Sequence, residues 1–513
     1  RDILYLNRTI DQIPLASFSS CEETTAEAIQ AAIDAFPETG GEISLPPGRI
    51  ELERTLILRS GVRLTGFAGK TELIWRGTDY CLFIRGNNER FLTNVHIEGL
   101  RIRHEGGPKF CSAVFISHAH DIVIKQVEIA SPRGTGFLLV DRVYRSQLLN
   151  CSVYRAPDAA FMMVRDVRDC LMENCLAEFS FQSGIFLTDL KLPDDVDPMD
   201  FDEQIRYTID VIKNFAPYEP HDPGPYQITL RNCRFSGNRK MGITTDGVGY
   251  LQVLNCIITD NQCEGITLDN GTWGCQIQNC LISNNGRRGL QGDHELEADY
   301  IDDTGRMPDN SSKAKLPGVS LDNAIYCRVE NNRIESNWGD GVKFVRAVHG
   351  CTISNNQIID NNRGNNDEFH FYGVLISVKE RQHPDQEDFP SYQNQITNND
   401  IIGAHYAGIH LFHGTFDNTL QNNHICDAIH FDIEDHTVAV TRSADIPTVF
   451  ERVEVIEADE PDISAPDEIP EGVPQPEIPI STDAELSTPD VSSEESLDAQ
   501  SVETPTTDSS VNP

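Results

Sequence analysis

The sequence predicts an all-β fold, a single right-handed parallel β-helix built from coils of about 24 residues. Three observations carry this expectation. An Asn-Cys or Asn-Asn pair returns at a near-constant interval, a glycine-opened apolar strand follows most of those pairs at a fixed distance, and a helix-like segment lies upstream, where a solenoid needs its first coil covered.

The pairs are Asn150-Cys151, Asn174-Cys175, Asn232-Cys233, Asn255-Cys256, Asn279-Cys280, Asn331-Asn332, Asn355-Asn356, Asn398-Asn399 and Asn422-Asn423. Their steps are 24, 58, 23, 24, 52, 24, 43 and 24, so three coils carry insertions. Behind them come Gly184, Gly242, Gly265, Gly289, Gly341 and Gly408, opening GIFLTD, GITTD, GITLD, GLQGD, GVKFV and GIHLF. A coil this short cannot bury its own apolar face, and it stacks on neighbours about 4.8 Å away.

The second member of each pair changes from Cys to Asn along the chain. Small thiols pack inward as weak hydrophobes, and Asn tolerates left-handed turns and hydrogen-bonds the Asn above and below. The cysteines, 14 in all, fall on the repeat rather than in a short secreted framework, so most of them are expected to be buried free thiols.

Upstream, TTAEAIQAAIDAF places Ala28, Ile29, Ala32, Ile33 and Phe36 on one helical face, which predicts a helix capping the first coil. The organisation that follows is a leader segment (1–21), the capping helix and first strands (22–60), the solenoid (61–435), an extension (436–456) and a disordered acidic tail (457–513). The tail is rich in Pro, Ser, Thr, Asp and Glu and has too little apolar surface to offset chain entropy.

Of 513 residues carrying a net charge of -39, the tail holds 16 acids and no base, which leaves -23 on the rest. Nucleic acid and anionic membrane are therefore poor partners. No run approaches the roughly 18 apolar residues of a membrane span. The chain opens at Arg1 without a signal-like segment.

Insertions near 190–225, 295–320 and 379–392 are each placed after a glycine-opened strand, so they are expected to wall one groove on one face. Alternation along that strand points Ile243, Ile266 and Leu290 inward. The fourth position past each glycine points outward and reads Asp246, Asp269 and Asp293, then Val345, Ser377 and Phe412. Three stacked carboxylates repel, so the column is expected to bind a cation such as Ca²⁺, hold a proton on one member or lean on nearby bases. Those bases are His294, Lys343, Arg346, His410 and His413. The plainer reading makes Asp246-Gly247 and Asp269-Asn270-Gly271 turn formers and leaves His294 and His413 as surface residues.

AIQAAID followed by GGEISLPPG and the later coils resembles the pectate-lyase-superfamily domain of rhamnogalacturonase- and epimerase-like proteins, over about 22–435. The resemblance implies a pectin-lyase-like solenoid. YEPHD at 218–222, with Asp246 one coil on, resembles the catalytic region of mannuronan C5-epimerases. That likeness implies roles for Glu219, His221 and Asp246, with Tyr218 displaced, the acid order reversed and the family's next-coil arginine without a counterpart. TTDG at 244–247 resembles the NTDG of polygalacturonase-type hydrolases, whose GHG and RIK motifs are missing here.

The leading functional expectation is an enzyme on a uronate-containing polysaccharide, a C5-epimerase or lyase. His221 or Lys343 would abstract the C5 proton, and Asp246, Asp269, Asp293 or a Ca²⁺ ion bound to them would neutralise the substrate carboxylate. Tyr218, Glu219, His294, Arg346, His410 and His413 would bind substrate. Two alternatives stand beside it, an inverting glycoside hydrolase and a non-catalytic glycan-binding or surface-structural solenoid. An acidic polysaccharide as substrate implies an extracellular or cell-surface location.

Overall fold

In a computed structural model the chain is described at residues 18–20, 25–77, 79–105, 112–189, 224–287, 315–363, 370–377, 390–403 and 405–437. These residues form a parallel β-helix of three sheets, with 14, 13 and 15 strands, and the chain visits the sheets in rotation. Each coil thus adds one strand to each sheet. Inward side chains from all three stack along the axis: Ile266, Ile277 and Ile282 on one coil, then Val319, Val329 and Ile334 on the next, all fully buried.

The repeated Asn-Cys and Asn-Asn pairs divide two jobs. The first Asn of every pair sits in the left-handed region, with φ between 53° and 58°, and turns the chain from the first sheet into the second. The second member faces the core. Cys175 donates its thiol proton to the Leu148 carbonyl at 3.3 Å, and further along the same line Asn332, Asn356, Asn399 and Asn423 form a ladder with amide-to-amide distances of 3.0–3.1 Å. No two of the twelve described cysteines form a disulfide with each other, and eleven are buried, as the repeat implied. Cys21 and Cys111 lie outside the described residues.

A second ladder, Asn238, Asn261, Asn285, Asn337 and Asn361, runs through another turn at 2.8–3.0 Å. A primary amide donates and accepts at once, so each rung satisfies the next.

The predicted helix is α1 (Ala26–Ala35). Thr25 caps it, its hydroxyl accepting from the Ala28 N–H at 3.2 Å. Ala26, Ile29 and Ile33 close the end of the core. Gln30 does more: its side-chain amide accepts from the Ile57 N–H at 2.8 Å and donates to the Ile57 carbonyl at 3.1 Å. Leu56–Ile57 is the first strand of the third sheet, so the helix satisfies backbone groups at an edge that would otherwise be open to pairing. Residues 18–20, within the expected leader, pair in parallel with Gly41–Ser44. Among the described residues no helix is long and apolar enough to cross a membrane.

One expected coil is displaced. The third-sheet strand after Asp269 is Val319–Asp322, opened by Gly318, not the GLQGD segment opened by Gly289. Val319 takes the inward place expected for Leu290. The second insertion therefore precedes its third-sheet strand, lying between Leu281–Ser283 and Val319–Asp322, whereas the first and third follow Ile185–Thr188 and Val374–Ile376. A solenoid admits extra chain at any of its turns, because lengthening a loop costs little. Residues 190–223, 288–314 and 378–389, with the predicted groove walls, lie outside the described residues, as does the acidic tail.

Candidate functional site

The third sheet carries the site, and its strand register orders the outward side chains into two columns. The first reads Phe83, Phe115, Leu138, Met162, Phe186, Thr244, Thr267, Ser320, Lys343, Leu375, His410 and Glu434. The second reads Val140, Val164, Thr188, Asp246, Asp269 and Asp322. The face thus changes from apolar, through hydroxyl and carboxyl, to a mixed stretch of Lys343, Leu375, His410 and Glu434. Its apolar part is packed, with Phe115 stacked on Phe83 at 5.2 Å and Tyr80 at 4.5 Å from Phe115.

Three aspartates on successive rungs stand at the centre. Asp246 and Asp269 occupy the predicted positions, and Asp322 takes the place expected for Asp293. The signal for Asp322 was present in the sequence, since GVSLDN at 318–323 repeats GITLDN at 265–270.

The left-handed turn residues here are Gly247, Asn270 and Asn323, each one past an aspartate, with φ of 61°, 51° and 55°. The turn requirement therefore falls on the residue after each aspartate. Asp246 accepts from the Asn270 amide at 2.7 Å, and Arg346 ion-pairs with Asp322 while reaching the Asn270 side-chain oxygen at 3.5 Å. A chain of contacts so links Asp246, Asn270, Arg346 and Asp322 around Asp269.

Burial raises the Asp246 carboxyl to about 6; the Asn270 hydrogen bond opposes the rise and the Asp322 charge adds to it. Asp269 is pushed well above the ordinary carboxylate range by burial, then by Asp322, Asp246 and Glu264, against Arg346. The Arg346–Asp322 ion pair places one of the expected bases on a flank of the column.

Lys343 lies one rung beyond Ser320 in the first column and is partly buried. Beside it Asp340, which the sequence reading missed, is buried and raised to about 6 by desolvation, against Lys343 and the Tyr372 N–H that reaches its carboxylate at 2.7 Å. His410 is two rungs past Lys343 and buried, while His413 is exposed beyond the end of its strand. Tyr218, Glu219, His221, Asp293 and His294 lie outside the described residues.

A family model described as a right-handed β-helix region matches residues 225–296 and 306–427. No curated protein matches the sequence. Among solved structures, the A-module of the mannuronan C-5 epimerase AlgE4 of Azotobacter vinelandii is 17% identical with a TM-score of 0.47, over 80% of this chain and 92% of that one. The catalytic unit of a thermostable GH87 α-1,3-glucanase from Streptomyces thermodiastaticus is 11% identical with a TM-score of 0.53, over 81% and 70%. The periplasmic alginate epimerase AlgG is 10% identical with a TM-score of 0.42, over 82% and 83%. Likeness at these identities concerns the fold, and the chain is a right-handed parallel β-helix.

Proposed function

We propose, from a right-handed parallel β-helix with three acids on one sheet face, that this protein is a carbohydrate-active enzyme that hydrolyses a polysaccharide by carboxyl acid–base chemistry. The observation behind this reading is the unequal setting of three aspartates on successive rungs, of which Asp322 alone is ion-paired to Arg346. Asp246, with its carboxyl raised to about 6, still carries a proton part of the time near neutrality and serves as general acid. Asp322, ion-paired to Arg346, serves as the base that activates water. The two are two rungs apart, about 9.6 Å at the backbone, close to the upper end of the roughly 6.5–9.5 Å range of inverting glycosidases. Asp269, pushed well above the ordinary carboxylate range, stands between them as a hydrogen-bonding partner for the sugar.

A second reading is C5-proton abstraction on a uronate polymer, and it rests on Lys343 and Arg346 sharing this face with the aspartate column. Asp269 and Arg346, or a Ca²⁺ ion on the acids, would neutralise the substrate carboxylate, and Lys343 or His221 would take the proton. Either substrate would be met outside the cell or at its surface.

Incubation with alginate, pectate and neutral glycans separates the readings. Hydrolysis yields reducing ends without ultraviolet absorbance, elimination an absorbing unsaturated uronide, and epimerisation altered sugar configuration without cleavage. Asp246→Asn and Asp322→Asn should each lower turnover about 10²–10⁴-fold. A glycan bound but left unchanged, with and without Ca²⁺, would overturn both enzymatic readings in favour of a binding solenoid.

A further inference from the structure

The last two described rungs of the third sheet bring together two imidazoles and a carboxylate that the proposed reaction does not use. His410 and Glu434 are direct register partners, and His436 follows two residues on. The His436 N–H donates to the Leu411 carbonyl at 2.9 Å, which holds the residue beside the preceding rung. Glu434 then accepts from both rings, from His410 Nδ1 at 2.6 Å and from His436 Nε2 at 3.1 Å.

One ring nitrogen of each histidine and one carboxylate oxygen of Glu434 lie within 4.8 Å of one another. Ligand atoms 2.0–2.1 Å from a tetrahedral ion stand about 3.3 Å apart, so small side-chain rotations bring all three onto one ion. Tyr372 packs on the His410 ring at 4.5 Å and Phe412 flanks it at 6.0 Å, limiting its rotation. Exposure is graded across the cluster: the side chains of His410 and Glu434 are 8% and 12% exposed and that of His436 41%, which leaves a fourth position open toward solvent.

We propose that His410, Glu434 and His436 form a binding site for a divalent transition-metal ion of zinc type, with one coordination position open on the outward face of the third sheet. Two imidazoles select such an ion over Ca²⁺, which prefers a shell of oxygens. The site is independent of the polysaccharide reading. It lies four rungs, roughly 19 Å, beyond Asp322 on the same face.

The test is equilibrium dialysis of the chelator-stripped full chain against Zn²⁺, with Ca²⁺ as competitor and Co²⁺ as spectroscopic probe. One equivalent of Zn²⁺ should bind, and equimolar Ca²⁺ should not displace it. Loss of an outer-shell partner typically costs 10–100-fold in metal affinity, so His436→Ala and Glu434→Gln, which remove direct ligands, should each weaken binding at least tenfold. His424→Ala, a surface histidine elsewhere, should leave it unchanged. Since His436 is exposed, its variant should fold, and circular dichroism checks this. Bound Co²⁺ should show tetrahedral d–d bands without thiolate charge transfer. No stoichiometric Zn²⁺, full affinity in folded His436→Ala, or a thiolate band from one of the cysteines would each overturn the proposal and leave the three residues a hydrogen-bonded brace.

Discussion

Asp269 and Asp246 are raised first by burial, and that fixes the sign of their effect on stability. A carboxyl whose folded pKa exceeds its unfolded value of 3.8 contributes in full below that value and loses its contribution as pH climbs through the folded pKa. Asp269→Asn should therefore match the wild type near pH 3.5 and melt higher at pH 8, while turnover falls. An equal melting temperature at both pH values would show that the column carries no such penalty. If Asp246 is the general acid, turnover should decline above about pH 6, roughly tenfold per unit, and Asp246→Asn should abolish that limb. The glycine register made two of these aspartates and their outward direction legible in the sequence. The third was misplaced because a period counts residues, whereas insertions enter at any turn; comparing GITLDN with GVSLDN would have placed Asp322. Asn270 was legible only as a turn former, because its amide acts between rungs, a relation that no local pattern encodes.

The turns of the solenoid are specified by single side chains with distinct tasks. Asn285 is fully buried and its amide joins Asn261 and Asn337. Asn285→Ala removes four side-chain hydrogen bonds, to Asn261, Ile258 and Asn337, and strands its neighbours' polar groups, at a cost of about 1–3 kcal/mol for each group left unsatisfied. Denaturant titration should show that loss, and Asn255→Gly, at an exposed left-handed turn, should show far less. The cysteine line is predicted to react slowly in the native protein and fully after denaturation, because packing protects the thiols and burial pushes the Cys175 thiol well above its ordinary range. Rapid native labelling of more than a few thiols would contradict this. The alternation of Cys and Asn was readable as a column in advance. The second Asn ladder was missed because its members share no dipeptide, although each stands six residues past the first Asn of a pair.

Over the whole solenoid each coil touches only its neighbours, so damage should spread by adjacency. Phe344 is fully buried in the core. In Phe344→Ala, hydrogen exchange should speed up first in the flanking strands Val319–Asp322 and Val374–Ile376, while Gly41–Ser44 keeps its protection. Uniform loss of protection would mean that the coils unfold as one unit. Rung pairing also separates distance along the chain from distance in space. Asp269 and Asp322 are next-door partners even though 288–314 lies between their strands. The covalent link there is topologically dispensable: a break in that stretch divides the protein into two halves whose matching sheet edges present complementary backbone donors and acceptors. Separately expressed halves cut at this point are thus natural partners for fragment complementation, with the aspartate column completed only where the two edges meet.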